Sequence, residues 1–137
     1  MSSAQWTQRT EQSGQPYVLV VDDEPDVSEM VVAALGEERW PAVRAGGGAE
    51  ALALLDDAPA PPSLILVDLL MPGLDGAAFA RAYRRRPGPH APLVLFTAAM
   101  PTEALLEELG ITAVLSKPFE MAELMELAAR HVPRPAA

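Results

Sequence analysis

The residues with chemistry to offer are Asp22, Asp23, Asp68, Thr97 and Lys117, and all of them sit where short apolar runs end. VLVV precedes Asp22, LILV precedes Asp68, LVLF precedes Thr97 and AVLS precedes Lys117. In an open parallel sheet, ligands bind just beyond the carboxyl ends of the strands, so residues that close such runs converge on one edge. Three carboxylates crowded there repel one another unless a cation joins them. An oxygen-only set suits Mg²⁺, which takes few carboxylates, keeps several waters and accepts a phosphate into its shell. Phosphoryl transfer is the chemistry this implies. Asp68, held by its strand, is the nucleophile, since carboxylates form aspartyl phosphates. Lys117 neutralises phosphoryl charge opposite the metal, and the Thr97 hydroxyl donates to a phosphoryl oxygen.

Taken singly, each of these residues has an ordinary structural role. An Asp after a strand commonly caps a helix or forms a turn, and a Lys before Pro commonly faces solvent. Met71, Phe79 and Phe119 read as core and not as ligand contacts. The coincidence of four strand ends with complementary chemistry sets the functional reading above these.

Composition narrows the field. Nineteen acidic against ten basic residues give a net charge of −9 over 137 residues, which disfavours broad contact with nucleic-acid phosphates. The absence of cysteine excludes a disulfide framework, a thiolate zinc site and a cysteine nucleophile. No apolar run reaches the ~20 residues of a membrane-spanning helix. The polar start, Met1 to Gln15, lacks the basic and apolar regions of a secretory signal, so the expectation is a cytoplasmic protein. Arg81, Arg84, Arg85 and Arg86 before Pro87 read as a solvated helix terminus, where cations oppose the negative end of the helix.

The elements that must position these residues alternate along the chain. Apolar runs at Tyr17 to Val21, Pro41 to Arg44, Leu64 to Val67, Leu93 to Phe96 and Ala113 to Leu115 read as strands. The first, third and fourth are nearly all apolar, as central strands covered on both faces are, whereas Pro41 assigns the second to an edge. Helices are expected over Asp26 to Glu38, Ala49 to Asp56, Gly76 to Arg85, Thr102 to Leu109 and Met121 to His131. The first carries Val27, Met30, Val31, Ala34 and Leu35 on one stripe. The third buries Phe79, Ala82 and Tyr83, and the fifth Leu124, Leu127 and Ala128. Gly110 ends the fourth. Alternating strands and helices define an α/β fold with a parallel sheet. Residues 16–132 form its single domain. Residues 1–15 read as a disordered segment, and residues 133–137 as a tail or the start of a linker.

The motifs VLVVDDEP (18–25), LVDLLMPGLDG (66–76), Thr97-Ala98 and KPF (117–119), with a weaker GAEAL at 48–52, together resemble the receiver domain of two-component response regulators. The resemblance implies a flavodoxin-like (βα)₅ three-layer sandwich with a five-stranded parallel sheet in the order 2-1-3-4-5. It implies that Asp22 and Asp23 are the acidic pair for Mg²⁺, with Asp68 and the backbone carbonyl of Leu70 as further ligands. Asp68 then accepts phosphate from a sensor histidine kinase or a histidine phosphotransfer protein. Thr97 is the switch hydroxyl, Lys117 the phosphate-binding lysine, and the Lys117–Pro118 peptide is cis. The partners implied are that donor, a downstream protein and a second copy in a homodimer, with no direct nucleic-acid or membrane contact. Turnover of an external substrate is not expected, and slow self-dephosphorylation is expected because Leu70 and Ala99, two residues beyond Asp68 and Thr97, offer no side-chain hydrogen bond to an attacking water.

One position departs from the pattern. Members of the family often carry Tyr, Phe or His three residues before the lysine, where this chain has Val114. A β-branched Val, stiff at χ1, cannot act as an aromatic rotamer switch. Two rivals remain on the residues alone. A phosphate-independent interaction module of the same fold is supported only by Val114. An aspartyl-phosphate phosphatase would want a second carboxylate two residues beyond Asp68 as general acid, where Leu70 stands.

Overall fold

The computed structural model describes residues 16–58 and 60–133. The expected disordered segment at 1–15, and the tail beyond Pro133, lie outside the described residues. Five strands and five helices alternate in the order β1 (Val18–Val21), α1 (Pro25–Glu37), β2 (Ala42–Ala45), α2 (Gly48–Asp57), β3 (Leu64–Val67), α3 (Gly76–Arg85), β4 (Leu93–Thr97), α4 (Glu103–Leu109), β5 (Ile111–Ser116) and α5 (Met121–His131). The sheet order is β2-β1-β3-β4-β5 and every pairing is parallel. The flavodoxin-like arrangement expected from sequence is the one found.

Alternate residues of each strand divide the core into two. Leu19, Val21, Val43, Ile65, Val67, Leu93 and Leu95 pack with Ala51, Phe79, Tyr83 and Leu109, and so beneath α2, α3 and α4. Val18, Val20, Ala42, Leu64, Leu66, Val94 and Phe96 pack with Val31, Leu35, Leu124 and Ala128, beneath α1 and α5. Because both faces are covered, β1 and β3 are buried at every position, which explains their unbroken apolar sequence. β2 is an edge strand, as Pro41 indicates. Trp40, fully buried, donates from its indole N–H to the Val132 carbonyl at 3.2 Å, fastening the turn before β2 to the end of α5.

Local signals set the helix ends. Asp75 and Thr102 cap α3 and α4, accepting from Ala78 N–H at 2.8 Å and Leu105 N–H at 3.1 Å. Gly110, at φ 68°, closes α4 as its sequence position implies. Two inward faces differ from expectation. On α1 the buried residues are Ser28, Val31 and Leu35, whereas Met30 is 48% exposed and Val27 and Ala34 are half-buried. The helix is rotated towards Ser28 because that hydroxyl is held inside by hydrogen bonds. On α3, Ala80 is buried in place of Ala82. β5 is longer than the apolar run Ala113 to Leu115, because its pairing with β4 extends to Ile111 at one end and Ser116 at the other, with Thr112 skipped at a shift in register.

The register aligns the carboxyl ends. Val21 pairs with Ala45 and Val67, Val67 with Leu95, and Thr97 with Ser116. Asp22 and Asp68 therefore leave neighbouring strands side by side. The loop after β3 must then return tightly to start α3, and Gly76 makes this feasible: a Cβ there would lie 2.2 Å from the Asp68 carbonyl oxygen and 2.8 Å from Leu69 Cα. Both obstacles are backbone and cannot yield like a side-chain tip. Gly76→Ala is accordingly expected to cost at least about 1–3 kcal/mol, the usual range for overpacking, measured by urea unfolding. Gly36→Ala, whose Cβ would meet nothing within 4 Å, should be neutral or gain up to about 1 kcal/mol.

Candidate functional site

At the carboxyl edge of the sheet, Asp22 is fully buried and Asp68 is 3% exposed. Each carboxylate is braced by its own turn. Asp22 Oδ1 accepts from the Glu24 N–H at 3.0 Å and Asp68 Oδ1 from the Leu70 N–H at 3.1 Å. The other oxygen of each accepts from the Lys117 ammonium, Nζ lying 2.9 Å from Asp22 Oδ2 and 2.9 Å from Asp68 Oδ2. Lys117 Nζ also lies 3.8 Å from Glu24 Oε1 and 4.6 Å from the centroid of the Phe96 ring, a cation–π contact. The Lys117–Pro118 peptide is cis, as expected. Burial alone pushes the Lys117 ammonium down, but its hydrogen bonds to Asp68 and Asp22, together with their charges, hold it above its ordinary value. It is thus a cation throughout the neutral range. The stability it contributes is fully present below the unfolded lysine value, about 10.4, and is lost as pH rises through the higher folded one.

Thr97, fully buried, accepts from the Ala99 N–H at 3.2 Å, so its proton is the group it can offer to a ligand. The backbone carbonyl of Thr97 accepts from the Lys117 N–H at 2.9 Å, which ties the two strand ends together. Asp22, Asp68, Thr97 and Lys117 are therefore gathered as the sequence suggests. Asp23 is half-buried, and the three carboxylates that approach one another are those of Asp22, Glu24 and Asp68, with ligand oxygens all within 4.8 Å. Glu24 thus joins the group beside the expected acidic pair. Leu70 is 63% exposed and faces an open depression with Leu69, Met71, Pro72 and Asp75. Val114 is half-buried against the core beneath α2, α3 and α4.

The donor set fits a hard divalent cation. Three carboxylates face a single ammonium, an excess of two negative charges, and every ligand atom is oxygen. Asp22, Glu24 and Asp68 are the side chains placed to hold it. Sequence reasoning overlooked three neighbours. Glu24 follows the acidic pair directly. Arg44 ends the second apolar run, a visible strand terminus whose partners lie on α1 and the turn after β1. Ser28 carried no signal.

Residues 18–129 match the response regulator receiver domain family, and the chain belongs to that family. It is 34% identical over 110 residues to the DNA-binding response regulator MtrA of Mycolicibacterium smegmatis, covering 79% of this chain and 46% of that protein. To the probable transcriptional regulatory protein TcrX of Mycobacterium tuberculosis it is 35% identical over 117 residues, covering 82% and 48%. The chain thus spans about half the length of these relatives. Among solved structures, a response regulator receiver protein from Pseudomonas putida superimposes with a TM-score of 0.78 at 27% identity, covering 85% of this chain and 97% of that one. The chemotaxis protein CheY4 of Vibrio cholerae gives 0.74 at 27%, covering 86% and 99%. Among the described residues no helix is long and apolar enough to cross a membrane.

Among the described residues, Lys117 is the cation paired with both the Asp22 and the Asp68 carboxylates. Lys117→Met should therefore destabilise the metal-free protein by about 3 kcal/mol, the low end for an uncompensated buried charge, because each carboxylate keeps its backbone N–H. Added Mg²⁺ should raise the melting temperature of this variant more than that of the wild type. Equal melting temperatures for the two metal-free proteins would contradict the pairing.

Proposed function

We propose that the chain is a Mg²⁺-dependent phosphoacceptor that takes a phosphoryl group onto Asp68 from a phosphohistidine of a sensor histidine kinase or histidine phosphotransfer protein. The observation that supports it best is the Asp68 carboxylate itself, buried at the end of a central strand with Lys117 and Asp22 against it. A carboxylate oxygen of Asp68 bonds to phosphorus while the P–N bond of the donor breaks, its electron pair returning to the imidazole nitrogen. Lys117 exchanges a carboxylate partner for a phosphoryl oxygen, and the Thr97 proton is donated to another. When bound, Mg²⁺ would supply neutralisation of the phosphoryl charge. Asp22, Glu24 and Asp68 would hold it, with Asp23 and the Leu70 carbonyl as further candidate ligands. These residues do little covalent chemistry beyond the nucleophile, and positioning and electrostatics carry the rest.

The altered charge at this edge is read by a downstream protein or by a second copy of the chain, within the cytoplasm. The chain itself makes no broad nucleic-acid contact, in keeping with its net charge of −9. Asp68→Asn tests the acceptor. A small phosphodonor with Mg²⁺ should add one phosphoryl group to the wild type by intact mass and none to the variant. Stoichiometric labelling of the folded Asn variant would rule Asp68 out.

The lifetime of the phosphorylated state follows from what surrounds it. Leu70 and Ala99, each two residues beyond a site residue, offer no side-chain hydrogen bond to orient an attacking water. Self-dephosphorylation is therefore slow. Leu70→Asn, which leaves the backbone carbonyl in place, should accelerate it, each tenfold gain corresponding to about 1.4 kcal/mol of barrier. Identical decay of the two phosphoproteins at saturating Mg²⁺ would show that Leu70 does not limit hydrolysis.

A further inference from the structure

The turn after β1 and the start of α1 carry Asp22, Asp23, Glu24 and Asp26, four carboxylates in five residues. Their mutual repulsion works against holding Asp22 and Glu24 close to Asp68. A second cation reaches this turn from the edge strand. Arg44, in β2, donates from Nε to the Ser28 hydroxyl, and its Nη2 lies 3.4 Å from the Asp22 carbonyl oxygen. The Ser28 hydroxyl in turn donates to the Glu24 carbonyl at 2.9 Å, and the Glu24 N–H donates to Asp22 Oδ1 at 3.0 Å. A hydroxyl has one proton and two lone pairs, so Ser28 can accept from the guanidinium while donating to the turn.

Ser28 lies fully buried on the face of α1 that otherwise presents Val31 and Leu35 to the sheet. A polar group there costs free energy unless it is hydrogen-bonded. Its partners are the Glu24 carbonyl, the Pro25 carbonyl at 3.3 Å and the Arg44 guanidinium, so the hydroxyl links the acidic turn and the start of α1 to β2. We infer that Arg44, acting through Ser28, is a positioning residue for the divalent-cation site, clamping the backbone from which Asp22 and Glu24 project. This rests on the Mg²⁺ reading above.

Calorimetric titration of the full chain with MgCl₂ alone tests it. Arg44→Met and Ser28→Ala should each weaken Mg²⁺ binding about tenfold, as loss of groups that orient metal ligands does. The double variant should bind no more weakly than either single one, since both break the same link. Arg44→Lys should not restore affinity, because an ammonium lacks the planar fork that serves the Ser28 hydroxyl and the Asp22 carbonyl together. In the metal-free protein the Glu24 amide should exchange hydrogen faster in both single variants, with the β3 amides unchanged. A Ser28→Ala protein that is folded and binds Mg²⁺ within twofold of the wild type overturns the inference, even if Arg44→Met fails to fold. So do fully additive losses in the double variant. A wild type without Mg²⁺ affinity overturns both this inference and the metal reading, whereas firm wild-type binding with unchanged variants removes the clamp alone.

Discussion

The ammonium of Lys117, set between the buried carboxylates of Asp22 and Asp68, is the interaction on which the rest of the molecule depends. Two carboxylates withdrawn from water at the end of a sheet would each carry a desolvation penalty of several kcal/mol without compensation. Lys117 compensates both, and its ammonium also lies over the Phe96 ring. The pairing spans three strand ends, β1, β3 and β5, so it exists only when the sheet is in register. A slip of one residue on any of these strands would exchange the side chains on its two faces and move the charged residue away from its partners. Core packing and site assembly are one constraint here, and neither can be satisfied alone.

That coupling explains why so much was legible from sequence. Four apolar residues followed by a polar one, as at LILV before Asp68, state a buried strand, its carboxyl end and a group placed at the mouth of the sheet. All five strands and all five helices follow from such runs and from the helical spacing between them. The side-by-side exit of Asp22 and Asp68 follows from placing the first strand beside the third. The stop at Gly110 is equally local, set by the backbone conformation that glycine permits.

What sequence did not convey is relational. Periodicity assigned the inward stripe of α1 by counting apolar residues and so gave Met30 to the core. The helix turns Ser28 inward because a guanidinium sixteen residues away in the chain meets its hydroxyl, and no spacing rule contains that partner. Glu24 presents the same difficulty. Adjacent acids on a turn point in different directions, and which of them faces Asp68 depends on backbone angles that are fixed only once Lys117 and the turn hydrogen bonds are in place. Arg44 was a visible strand terminus, but its role emerges only from what β2 lies against.

The two ends of this arrangement are unequally anchored. Asp22 and Asp68 leave strands buried at every residue, whereas β5 is an edge strand whose fully buried position is Leu115, with the short helix α4 beside it holding Leu109 as its buried residue. Few buried apolar contacts mean a low local free energy of opening. The Thr97–Lys117 backbone hydrogen bond joins the site directly to this lightly held edge. Val114, packed half-buried against the core, leaves no aromatic side chain to swing there. A change in charge at Asp68 thus meets rigid strands on one side, and on the other an edge where backbone displacement is the least costly response the packing allows.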